Sequence, residues 1–168
     1  EMSVTLRHPN IVQFLGAVWQ PGLMLVLEWM EGGSVRDALA ESRPLDARSV
    51  ATDVARAVQF VHSLSMCHRD LKAANVLLDA SGRAKLGDFG LARRADVSDT
   101  MSGVGTPLWT APEARLGLEQ YDAKCDVYSY AIFLLELADF RRVHEEYARD
   151  AALVAQMQTG VRPDIAWV

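Results

Sequence analysis

The run His68-Arg69-Asp70-Leu71-Lys72-Ala73-Ala74-Asn75, followed by Asp88-Phe89-Gly90 and then Ala111-Pro112-Glu113, constrains this chain more than any other feature. It collects a carboxylate, an ammonium and an amide within six residues, and adds a second carboxylate further on. Phosphoryl transfer from a nucleotide needs such a set. Oxygen ligands hold Mg²⁺, a carboxylate orients the attacking hydroxyl, and a cation sits on the transferring phosphate. Each tripeptide alone would be a weak signal, but their order and spacing are not.

The rest of the composition narrows the setting. With 168 residues, 50% of them hydrophobic, the chain can bury a sizeable core and is not a disordered tail. A formal net charge of −5 supplies no basic face, which argues against nucleic acid or an anionic membrane as partner. Cys67 and Cys125 make no disulfide framework, and their flanks lack metal-ligand spacing. They read as buried thiols in a reducing compartment. No apolar run reaches the length of a membrane span and no signal peptide opens the chain, so the expectation is a soluble cytoplasmic domain.

Turn residues and periodicity set the elements. Arg7-His8-Pro9-Asn10 is a stop, because proline disfavours helix at the residue before it. Ile11–Val18 and Leu23–Leu27 are β-rich runs around Pro21-Gly22 and predict an antiparallel hairpin. After Gly32-Gly33, Ser34 can cap a short helix through Leu39. A longer helix follows with Asp46 as cap and Val50, Val54, Ala57, Val58 and Val61 on one face. Val76-Leu77-Leu78 and Ala84-Lys85-Leu86 flank Ser81-Gly82 as a tight hairpin. Residues 92–110 lack periodicity and read as one long functional loop. Val127–Ala138 is apolar nearly all round, as expected of a core helix, and a last amphipathic helix runs from Glu145 to Gln158, ending at Gly160.

The three motifs, in this order and with a hairpin between the first two, resemble those of the eukaryotic protein kinases. The resemblance covers the whole chain and implies an α+β, two-lobed fold. Residues 1–28 would be a remnant of the sheet-containing lobe, 29–33 the hinge, and 34–168 an incomplete, mainly helical lobe. It implies ATP and Mg²⁺ as cofactors and a protein as substrate. Asp70 becomes the base that orients the hydroxyl, Lys72 the cation on the γ-phosphate, and Asn75 and Asp88 the metal ligands. Leu27-Glu28-Trp29-Met30 resembles the hinge, where backbone groups of Glu28 and Met30 would bond adenine; Leu27 would gate the pocket behind the ring and Leu77 lie beneath it. His68, Phe89 and Phe14 resemble an internal hydrophobic stack. Asp126 resembles the aspartate that binds backbone amides of the catalytic segment, while Arg69 would pair with a phosphate on Ser98, Thr100 or Ser102.

Lys72, two residues after Asp70, and Thr106 in Gly105-Thr106-Pro107-Leu108-Trp109 are similar to serine/threonine kinases rather than tyrosine kinases. Leu6-Arg7-His8-Pro9-Asn10-Ile11-Val12 and Gly160-Val161-Arg162-Pro163-Asp164-Ile165 look like the tyrosine-kinase-like group. The sequence departs from the family pattern in showing no glycine-rich loop, no strand lysine with its glutamate partner, and no final helices to pair with Glu113. Two readings follow: an active kinase seen as a piece, or a silent pseudokinase or regulatory fragment that acts by binding. The 168 residues by themselves are expected to be inactive, with an under-covered apolar flank on the 127–138 helix.

Overall fold

A computed structural model describes residues 6–20, 22–94, 107–115, 122–157, 159–162 and 165–166. Strands β1 (Phe14–Val18) and β2 (Met24–Leu27) pair antiparallel, Val18 opposite Met24 and Phe14 opposite Leu27, with a register irregularity between Phe14 and Gly16. This is the hairpin expected from the two β-rich runs, shortened at its start. Ile11 and Val12 instead run beside Leu86, where the Val12 amide donates to the Leu86 carbonyl (2.9 Å).

Beyond the hairpin, β3 (Gly33–Ser34), β5 (Val76–Leu78) and β6 (Ala84–Leu86) form an antiparallel sheet with β5 in the middle. Gly32 packs so closely on β5 that a Cβ there would lie 2.6 Å from that of Leu78, so only glycine fits. The β5–β6 turn holds Gly82 at φ +81°, and the Asp79 carboxylate accepts the Ser81 and Arg83 amides. A third, two-stranded pairing joins β4 (Met66–Cys67) to β7 (Arg93–Arg94).

The helices follow their caps. Helix α1 (Val35–Ala40) starts where the Ser34 hydroxyl accepts the Asp37 amide, and α2 (Ala47–Ser63) where Asp46 accepts that of Ser49. Helix α2 buries the stripe Val50, Val54, Ala57, Val58 and Val61 against β6 and α4 (Lys124–Ala138). With Leu6, Ile11, Val35, Leu71, Val76, Leu86 and Phe133, these residues form the main core. Burying each such side chain stabilises the fold by about 1.5–3 kcal/mol before chain entropy is counted.

Three expectations change. Helix α4 is not buried all round, since Val127 (58% exposed), Ala131 and Leu134 (39%) form an open stripe, while Cys125, Asp126, Ser129, Ile132, Phe133 and Glu136 face inward. The single helix expected over Glu145–Gln158 is two elements, a π-helical turn at Arg142–Tyr147 and α5 (Ala151–Met157). Asp150 causes the break, because its carboxylate caps the Ala152 and Leu153 amides (both 2.9 Å) and starts a new helix. The long loop of 92–110 contributes β7 at one end; at the other, residues 107–110 run as turns up to the four-residue helix α3 (Pro112–Arg115). Ser98, Thr100, Ser102 and Thr106 lie outside the described residues. No helix among the described residues is long and apolar enough to cross a membrane.

Candidate active site

The segment after β4 is an irregular loop whose polar groups are held from below by α4. Arg69 adopts a left-handed conformation (φ +71°), unusual for a side chain of its size. What holds it is Asp126, fully buried in the first turn of α4, whose carboxylate accepts the His68 and Arg69 amides (both 2.8 Å) and faces His62 Nε2 (2.8 Å). The amide-binding role expected of Asp126 is therefore met, although Ala123 occupies the cap position. Burial alone would push the Asp126 carboxyl up, but the bonds from His62, Arg69 and His68 outweigh it and hold the group below the usual carboxylate range. The same contact raises the pKa of His62.

His68, with no solvent exposure, links this loop to the Asp88 segment. Desolvation lowers its pKa, so the ring is neutral and bears one N–H. Nε2–H donates to the Gly87 carbonyl (2.8 Å), and Nδ1 is left to accept the Asp70 amide (3.4 Å). The Phe89 ring meets that of His68 edge-on at 4.8 Å. Phe14 is half-buried and lines a cavity of about 180 Å³ with Phe89, Leu27, Asp88 and Leu6.

Asp70, Lys72 and Asn75 converge. Lys72 Nζ bonds both Asp70 oxygens (3.0 and 2.8 Å), and Asn75 Nδ2 donates to the Asp70 carboxylate and carbonyl (2.8 and 2.7 Å). The 3₁₀ turn Ala73–Asn75 that closes the loop passes directly into β5. Asp88 is brought alongside through the backbone, since the Gly87 amide donates to the Asn75 carbonyl (2.8 Å). Asp88 is itself left-handed (φ +53°) and exposed, and one of its oxygens accepts the Gly90 amide (3.3 Å). With Asn75 donating through nitrogen, its Oδ1 remains an acceptor beside an open carboxylate, a hard-oxygen pair suited to Mg²⁺.

At the hinge, the Glu28 side chain has a structural use: it accepts the Gln13 amide (2.6 Å) and pairs with Lys85 (2.6 Å). Its own amide is taken by the Gln13 carbonyl. Among the described residues, the Glu28 carbonyl and the Met30 N–H have no backbone partner, leaving one acceptor and one donor two residues apart. Leu77 lies half-buried in β5, opposite Ser34 and Lys85.

One residue at the centre of the network escaped the sequence reading. Glu136, 1% exposed on α4, accepts the Ala73 amide and Trp109 Nε1 (both 2.9 Å) and faces His144 Nε2 (2.9 Å). It ties the loop after Asp70 to the segment before Ala111-Pro112-Glu113. An acid in the middle of an otherwise apolar helix was the available signal, because a buried carboxylate needs partners. Glu113 makes no ion pair with any described residue.

A protein kinase domain model matches residues 1–163. The chain is 45% identical over 148 residues to RasGEF domain-containing serine/threonine-protein kinase X of Dictyostelium discoideum, covering 84% of this chain and 15% of that protein. It is 39% identical over 166 residues to serine/threonine-protein kinase STY46 of Arabidopsis thaliana, covering 95% of this chain and 29% of the relative. Dual specificity testis-specific protein kinase 1 of Homo sapiens is 39% identical over 145 residues, 79% of this chain and 23% of that protein. The chain thus spans less than a third of each of these three relatives.

Proposed function

Because this chain belongs to the protein kinase family, we propose that it transfers the γ-phosphate of ATP to a serine or threonine hydroxyl of a protein. The observation that carries this reading is the convergence of Lys72 and Asn75 on the Asp70 carboxylate. Two carboxylate oxygens offer about four acceptor sites, so Asp70 keeps capacity for a substrate hydroxyl after Lys72 and Asn75 are bound. It orients that hydroxyl for in-line attack and takes its proton. Lys72, already beside Asp70, offsets charge on the transferring group. Asn75 Oδ1 and the Asp88 carboxylate would hold Mg²⁺, which when bound neutralises charge on the phosphate oxygens. The Glu28 carbonyl and the Met30 N–H bond the adenine edge, with Leu77 beneath it.

Serine/threonine specificity rests on Lys72 and is in keeping with the names of the Dictyostelium and Arabidopsis relatives. The motif resemblance to the tyrosine-kinase-like group, the division at residues 1–28, 29–33 and 34–168, and a cytoplasmic location belong to the same proposal.

The test is Asp70→Asn in the natural full-length protein. Turnover should fall about 10²–10⁴-fold, the usual contribution of a positioned base, with MgATP affinity nearly unchanged. Full turnover in that variant would remove Asp70 from its role.

A further inference from the structure

Cys67 and Cys125 stand 58 residues apart, and spacing alone gave them no common role. The fold puts them together. Cys67 ends β4 immediately before His68, Cys125 opens α4 immediately before Asp126, and their Sγ atoms lie within 4.8 Å of each other and of an Asp126 oxygen. A metal would have to take that carboxylate, which is already committed to the His68 and Arg69 amides and to His62. Cys125 Sγ makes a long contact (3.9 Å) with Asp126 Oδ1, the oxygen that also accepts the Arg69 amide.

We propose that Cys67 and Cys125 form a reversible, peroxide-driven disulfide that disengages the active-site loop from α4. In the first step the Cys67 thiolate attacks one oxygen of a hydroperoxide. The O–O bond breaks, hydroxide or alkoxide leaves, and Cys67 becomes a sulfenic acid. The Cys125 thiol then attacks that sulfur, an S–S bond forms, and the sulfenic oxygen departs as water. Overall, two thiols are oxidised by two electrons and one peroxide is reduced.

The surroundings assign the order. Cys125 Sγ lies 3.9 Å from Asp126 Oδ1, and its contact with Cys67, burial and the Asp126 charge all push that thiol up, whereas the same contact between the sulfurs outweighs burial at Cys67 and lowers its pKa. Cys67 is thus the group that ionises and Cys125 the one that resolves. Both thiols are buried, and among the described residues Ala111, Ala114 and Tyr128 pack against them; the two alanines belong to α3 and the residue leading into it. A single-turn element opens locally at low free energy, and a hydroperoxide is small.

The mechanical consequence follows from bond length. An S–S bond is about 2.05 Å, so the sulfurs must close by up to roughly 3 Å. Each cysteine is bonded to a partner in the Asp126 clamp, His68 on one side and Asp126 on the other. Contraction shifts the two amides against the carboxylate that holds them, and with them the strained Arg69 and the adjacent Asp70.

The effect on turnover rests on the kinase reading, while the crosslink does not. The test treats the natural full-length protein with hydrogen peroxide, then alkylates it and maps peptides without reductant. A peptide pair joined through Cys67 and Cys125 should appear, amide hydrogen exchange at His68 and Arg69 should speed up, and turnover should drop about a hundredfold, all three reversed by dithiothreitol. In Cys125→Ala the chemistry should stop at a sulfenic acid on Cys67 that dimedone captures. Both thiols alkylated in full after peroxide, or a crosslink that leaves exchange at His68 and Arg69 unaltered, would overturn the proposal. Protein inactive even when reduced would count against the kinase reading, and crosslink and exchange would still decide this one.

Discussion

The loop seated on α4 and the β1–β2 hairpin are held by opposite means. Under the loop, His68, Asp126 and Glu136 are essentially buried, and no buried side-chain nitrogen or oxygen among the described residues lacks a partner. The hairpin carries Leu15, Trp19, Leu23, Leu25 and the following Trp29, each more than half exposed, and its stability comes from backbone pairing rather than packing. Removing one member of a saturated buried network strands the others, whereas trimming an exposed side chain strands nothing. The site is therefore expected to be brittle where it is polar and tolerant where it is apolar.

That contrast can be broken or sharpened in four steps. The largest effect belongs to Asp126→Ala, which leaves the buried His68 amide, the part-buried Arg69 amide and His62 without their acceptor. A loss of about 3–5 kcal/mol is expected in urea unfolding, in the range for breaking a buried charged pair; a loss under 1 kcal/mol would show that backbone packing alone holds the loop. Glu136→Ala should cost about 1–3 kcal/mol by orphaning the Ala73 amide and the Trp109 N–H, and Glu136→Gln less, because its amide oxygen can still accept one of them. Equal losses for the two would argue for volume rather than hydrogen bonding.

The third step uses pH. The pKa of His62 is raised in the folded state, so its stabilisation is fully present below its unfolded value of about 6.5 and is lost as pH rises through the folded value. The melting-temperature gap between the native protein and His62→Gln should be widest in mild acid and narrow on the alkaline side; a gap that widens with pH would reverse the assignment. Smallest is Leu25→Thr on the hairpin, expected to change stability by no more than about 0.5 kcal/mol while lowering light scattering at high concentration. A larger loss would mean the exposed face is packed in solution.

Much of the site was legible before the fold. Asp70, Lys72 and Asn75 converge because they share one short loop, where local chain geometry limits how far apart side chains can fall. Ser34, Asp46 and the valines of α2 were readable for the same reason, since caps and helical faces depend on neighbours three or four residues away. Glu136 and His62 were not, because their partners come from distant segments. The split at Asp150 was missed since an aspartate serves equally as a surface residue or a cap, and only the backbone path shows which.

Sequence by itself settled the chemical inventory, the family motifs and most of the local elements, all set by interactions within a few residues. Tertiary structure alone decided that Asp126 would strap the loop from 57 residues away, that Glu136 would tie two segments together, and that α4 would show Val127 and Leu134 to solvent. It also set Cys67 beside Cys125. The physical reason is that a buried polar group must find its partner wherever packing brings one, and packing of α4 against β4 and the loop is a property of the whole core, not of any stretch of chain.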